Sequence, residues 1–166
     1  MPLDRAWIEQ HIPHKGRMCL LEEVLAWDAG RIRCRSASHH TADHPLRAHG
    51  RLGVACGIEY AAQAMAVHGA LIGSSAPLTS AMSRSIRGSL GAAVGYLGSV
   101  RDVALHVERL DDLPGELIAL AERIAGDGHT VLYRFNIMSA GRTLLEGRAS
   151  IVIPEVATHH AAGRHA

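Results

Sequence analysis

The stretch that most limits how this chain can fold is residues 53–72, GVACGIEYAAQAMAVHGALI. Alanine and other good helix formers dominate it, and roughly 20 residues predict a helix of about 30 Å. The run Gly73-Ser74-Ser75-Ala76-Pro77 is expected to stop it. Small side chains occur all around this cylinder, so another layer can approach closely from every side. Glu59, Gln63 and His68 interrupt the apolar run, which argues against a membrane span.

A helix of this kind needs something to wrap it, and the rest of the chain reads as strands. Residues 94–110, 116–126, 130–140 and 142–153 are separated by Leu113-Pro114-Gly115, Asp127-Gly128 and Ala140-Gly141. The last three runs have hairpin spacing, and Asp127-Gly128 is a strong local turn signal. Upstream, residues 18–28 fit a helix or a strand. The Asp28-Ala29-Gly30 turn and the alternation of Ile32, Cys34 and Ser36 favour a hairpin. Residues 3–11 predict a short helix capped by Asp4 and ended by Pro13, and residues 38–51 a polar loop. One hairpin, one long helix and a meander describe an α+β layer architecture: an antiparallel sheet wrapped around a central helix. Residues 1–154 form one domain in this reading, and residues 155–166 a disordered tail.

Aromatic residues are only 4% of the chain against 48% hydrophobic, so the core must be mainly aliphatic. A net charge of +1 gives no global field for nucleic acid or an anionic membrane. Cys19, Cys34 and Cys56 are odd in number and widely spaced, unlike a disulfide framework or a zinc site. The charged N-terminus lacks the apolar run of a signal peptide. These features favour a soluble protein in a reducing cytoplasm.

Against the apolar helix, Glu59 stands out. Gln63 lies one turn on and shares its face. Burial among Ala, Val, Ile and Met is expected to raise the carboxyl's pKa, which suits a general acid near neutral pH. The competing reading is a structural carboxylate satisfied by an arginine at a dimer interface. His39, His40 and His44 form a loose cluster with no thiolate or carboxylate set to complete a metal site, so none is expected. His68 falls on the side of the helix away from Glu59, and His14 reads as structural. Arg84 and Arg87 read as a solvated loop, or as a basic contact for an acidic partner.

The opening IPHKGRMCLLEEVL is similar to the proline-histidine segment and first strand of the hotdog-fold β-hydroxyacyl-acyl carrier protein dehydratases. The helix segment from Glu59 to Met65, EYAAQAM, resembles that family's acidic helix, with Glu and Gln at spacing four. The resemblance covers about residues 12–153 and is nearest to the divergent ApeP-like branch, associated with aryl-polyene and related lipids. It implies a hotdog fold, a homodimer and no cofactor. The implied reaction is dehydration of a 3-hydroxyacyl thioester on acyl carrier protein to a trans-2-enoyl thioester, in fatty-acid or polyketide-like biosynthesis. The implied acid is Glu59. The implied base is a loop histidine: His44, in Asp43-His44-Pro45-Leu46 and one residue out of the family's spacing, or His49. The family's M-P-G-V stretch is here Leu52-Gly53-Val54, whose Gly53 and Val54 N–H groups are expected to face the thioester oxygen, with Gln63 orienting the carboxyl or a water. Two alternatives remain: a hotdog thioesterase using Glu59 to activate water, and a non-catalytic binder of acyl thioesters or a protein partner.

Overall fold

A computed structural model describes residues 2–75 and 95–154. Helix α1 (Arg5–His11) begins where the Asp4 side chain accepts the Trp7 N–H, and it buries Ile8. Strands β1 (Glu23–Trp27) and β2 (Arg31–Ser36) form the expected hairpin. Its turn is set by Asp28, whose carboxylate accepts the Gly30 and Arg31 N–H groups. Helix α2 (Gly57–Ser75) follows, then β3 (Tyr96–Leu105), β4 (Leu117–Gly126), β5 (Thr130–Ser139) and β6 (Arg142–Val152). The sheet order is β1-β2-β4-β5-β6-β3, antiparallel throughout.

Period-two alternation gives the sheet one apolar face. On β5, Val131, Tyr133, Phe135 and Ile137 are buried while Leu132 and Arg134 are exposed. On β2, Ile32, Cys34 and Ser36 point inward and Arg31 and Arg33 outward. That inner face curves around α2, which buries Tyr60, Ala61, Ala64, Met65, Val67 and Leu71 against it. This is the hotdog arrangement. Close approach is enforced at Gly57, where a Cβ would come within 2.2 Å of a Leu145 methyl. His68, fully buried, ties the helix outward through Tyr133 Oη at 3.0 Å and the Asp28 carbonyl at 2.8 Å. It takes no part in the Glu59 cluster.

Two boundaries differ from expectation. The helix starts at Gly57, not Gly53, because Gly53 is extended and bridges Arg109, and a single 3-10 turn (Val54–Cys56) intervenes. The helix runs on through Gly73 to Ser75, where the Ser74 and Ser75 hydroxyls bond back to the Leu71 carbonyl. The expectations for Arg84, Arg87 and the tail fall outside the described residues. Among the described residues, no helix is long and apolar enough to cross a membrane.

Candidate active site

The late helix start puts Glu59 in the first turn of α2, where the helix dipole favours an ionised carboxylate. Its side chain is 29% exposed. Oε1 accepts two hydrogen bonds, from Gln63 Nε2 at 2.9 Å and from His14 Nε2 at 3.0 Å. Among the described residues Oε2 has no partner. Burial pushes the carboxyl's pKa up, but the His14 and Gln63 contacts outweigh it, and the net shift is downward. This corrects the expectation of a raised pKa. Apolar helix neighbours were visible in the sequence, and two donors arriving from elsewhere were not. Near neutral pH Glu59 is a carboxylate, suited to accept a proton.

Gln63 is fully buried and fully bonded. Its Oε1 accepts the Leu20 N–H at 2.8 Å, and its Nε2 donates to the Met18 carbonyl at 2.8 Å as well as to Glu59. It is the clamp that lays the opening segment along the helix. That segment delivers His14, a residue that the sequence alone reads as structural. The signal was present in Pro13-His14 of the opening motif, read as a marker of the fold rather than of the site. Among the described residues, the buried His14 Nδ1 has no hydrogen-bond partner.

The loop histidines are placed differently. His44 is 5% exposed; its Nε2 lies 3.0 Å from Tyr60 Oη and its Nδ1 accepts the Leu46 N–H at 3.1 Å. Both ring nitrogens are therefore committed within the fold, and neither has a lone pair left for a substrate proton. Burial first, then the charge of Arg47, pushes its pKa down, with Asp43 opposing. His49 is exposed, at φ +51°, with no side-chain bond to Glu59, Gln63 or His14. His39 and His40 both reach the Leu113 carbonyl, and among the described residues no His, Cys, Asp and Glu group is arranged to hold a metal.

At the head of α2, the Val54 N–H donates to the Glu108 carbonyl at 3.1 Å and is spent there. This corrects the expectation that it faces a thioester oxygen. The Gly53 N–H has no partner among the described residues. The loop before it is held by Asp111, a side chain only 4% exposed that pairs with Arg47 at 2.7 Å and with Arg109, and accepts the Leu52 N–H at 3.0 Å. Among the described residues, one open groove lies beside Glu108, Arg109 and Arg142 and another along Ala26, Trp27 and Arg33. Neither includes Glu59.

The family model described as ApeP dehydratase, of the ApeP-like family, matches residues 6–162. No curated protein matches. Among solved structures, the dehydratase heterocomplex ApeI:P from Xenorhabdus doucetiae superposes with a TM-score of 0.70 at 22% identity, covering 93% of this chain and 92% of that one. An uncharacterized protein from Pyrococcus horikoshii gives 0.58 at 12% identity, over 94% and 96%. A hypothetical thioesterase with coenzyme A from Streptococcus pneumoniae gives 0.50 at 12% identity, over 80% and 84%. At these identities the structural likenesses speak for the fold.

Proposed function

We propose that this chain, which belongs to the ApeP-like dehydratase family, eliminates water from 3-hydroxyacyl thioesters, with Glu59 as the group that moves the proton. The observation carrying this reading is the Glu59 carboxylate with one oxygen fixed by His14 and Gln63 and the other open. Oε2 takes the C2 proton. The C–H electron pair becomes the C2=C3 double bond as the C3–O bond breaks. The hydroxyl leaves as water with the proton handed on by the Glu59 carboxyl, so the reaction balances with no redox partner. His14 and Gln63 hold Oε1 throughout, and the single remaining oxygen defines where the proton goes. A carboxylate below its usual range is a weak base in water. An acyl chain covering its exposed 29% strips that water away, which strengthens it when substrate is bound.

The Gly53 N–H, unpartnered among the described residues and lying in the extended segment that leads into α2, is the proposed donor to the thioester oxygen. The acyl group rides on acyl carrier protein, as the sequence resemblance implies. An acyl channel completed by a second copy of the chain fits this reading, as the sequence resemblance implies a homodimer. Edge strand β3 offers the surface for it, exposing Tyr96, Leu97, Val103 and Leu105.

Thioester hydrolysis is the second reading, favoured by the ionised state of Glu59, which suits activation of a water equally well. Incubation with a 3-hydroxyacyl-carrier protein, read by mass spectrometry, separates the two. Loss of one water with the thioester intact supports dehydration; release of the carrier thiol and a 3-hydroxy acid supports hydrolysis and overturns the first reading.

A further inference from the structure

His44 sits at one end of a buried chain of hydrogen bonds whose direction is fixed from both ends. At the far end, Ser36 Oγ lies 2.5 Å from the Leu20 carbonyl, which can only accept, so the Ser36 proton goes there. The Ser36–Ser38 contact at 2.9 Å then takes its proton from Ser38. The Ser38–Tyr60 contact at 2.8 Å takes its proton from Tyr60, and the Tyr60–His44 contact at 3.0 Å from His44 Nε2. At the near end, His44 Nδ1 accepts the Leu46 N–H, which independently puts the ring proton on Nε2. The two ends agree. Burial, which pushes the Tyr60 phenol up to about 12, keeps the middle of the chain protonated.

The chain ends on the main chain that Gln63 grips. Leu20 offers its carbonyl to Ser36 and its N–H to Gln63 Oε1, and Gln63 in turn holds Glu59 Oε1. We infer that His44 is a positioning residue, a neutral Nε2–H donor that locks the loop and Leu20 so that Gln63 presents Glu59, and that it transfers no proton to or from substrate. The inference deepens the dehydratase reading and rests on it for the consequence at Glu59, but the tautomer assignment stands by itself.

Two measurements test it. In the full-length protein at neutral pH, nitrogen-15 NMR of the histidine rings, with His44 assigned by comparison with His44→Gln, is expected to show a neutral Nε2–H tautomer. A protonated ring or an Nδ1–H tautomer overturns the inference whether or not the protein turns over any substrate. For turnover of a 3-hydroxyacyl-carrier protein, His44→Ala is expected to lower kcat by roughly thirtyfold or more with little change in KM. His44→Gln, which keeps a donor near the Nε2 position, is expected to recover kcat to within about fivefold of the parent. A transferring base is lost equally in both, so equal inactivity in two folded variants overturns the positioning role. Absence of dehydration in the parent protein sinks the dehydratase reading instead, and leaves the tautomer result to decide the chain.

Discussion

His14 Nε2 and Gln63 Nε2 converge on one oxygen of Glu59, at 3.0 and 2.9 Å, and this convergence sets the charge state of the carboxyl. The downward shift makes a signed prediction. If the carboxylate is the working form, activity is lost as pH falls through the pKa of the folded protein. His14→Phe removes a donor that lowers that pKa and leaves burial to raise it. The acid limb of the kcat/KM profile is therefore expected to move to higher pH, with kcat down roughly tenfold or more. An unmoved acid limb in a folded variant contradicts the pairing.

Gly57 is where the helix touches the sheet. Gly57→Ala puts a methyl into the Leu145 side chain, with Ile137 in ordinary contact beside it. Overpacking of this kind costs about 1–3 kcal/mol. Thermal melting is expected to fall by several degrees, and because Glu59 lies two residues on, kcat is expected to fall with it. An unchanged melting temperature means that the close approach is not real.

Asp111 holds the loop ahead of the helix. The Arg109 side chain first, with the Leu52 N–H and Arg47, keeps its carboxyl far below the usual range against the opposing effect of burial. Because the folded pKa is depressed, this stabilisation is present above the unfolded value of about 3.9 and fades as pH falls below it. Asp111→Ala leaves two guanidiniums and the Leu52 N–H without their acceptor, at an expected cost of about 2 kcal/mol or more at neutral pH. The gap between variant and parent is expected to narrow in acid denaturation experiments at lower pH. A constant gap argues against the ion pairs.

How much of this was readable beforehand differs by element. The strands from residue 116 onward were legible because their turns carry local chemistry. Asp127 accepts the His129 and Thr130 N–H groups, and Ala140 and Gly141 both take positive φ, as a two-residue hairpin loop requires. Glu59 and Gln63 were legible because polar residues on an apolar helix need a reason. The pairing of His14 with Glu59 and the double commitment of His44 were not, since both depend on partners far away in sequence: 45 positions between His14 and Glu59, and 16 between His44 and Tyr60. The helix start was misplaced for the same reason, because the Val54 N–H is claimed by a carbonyl beyond β3. No local pattern encodes such contacts.

The exposed apolar residues of β3 make a prediction about assembly. Light scattering is expected to give a dimer at micromolar concentration, and the double variant Leu97→Lys with Leu105→Lys is expected to shift it toward monomer and to reduce turnover. A monomeric parent protein contradicts a channel completed by a second copy. A stable complex only with a different hotdog chain redirects the proposal to that chain, a heterocomplex being what ApeI:P is.

The central claim is that Glu59 moves the proton in a dehydration, and Glu59→Gln tests it most directly. The amide keeps the size of the side chain and can still meet His14 and Gln63, but it cannot take up the C2 proton. With a 3-hydroxyacyl-carrier protein as substrate, the account predicts that the parent protein forms the enoyl thioester and that folded Glu59→Gln does so at least about a hundredfold more slowly. Enoyl product from Glu59→Gln at a rate near that of the parent would contradict it.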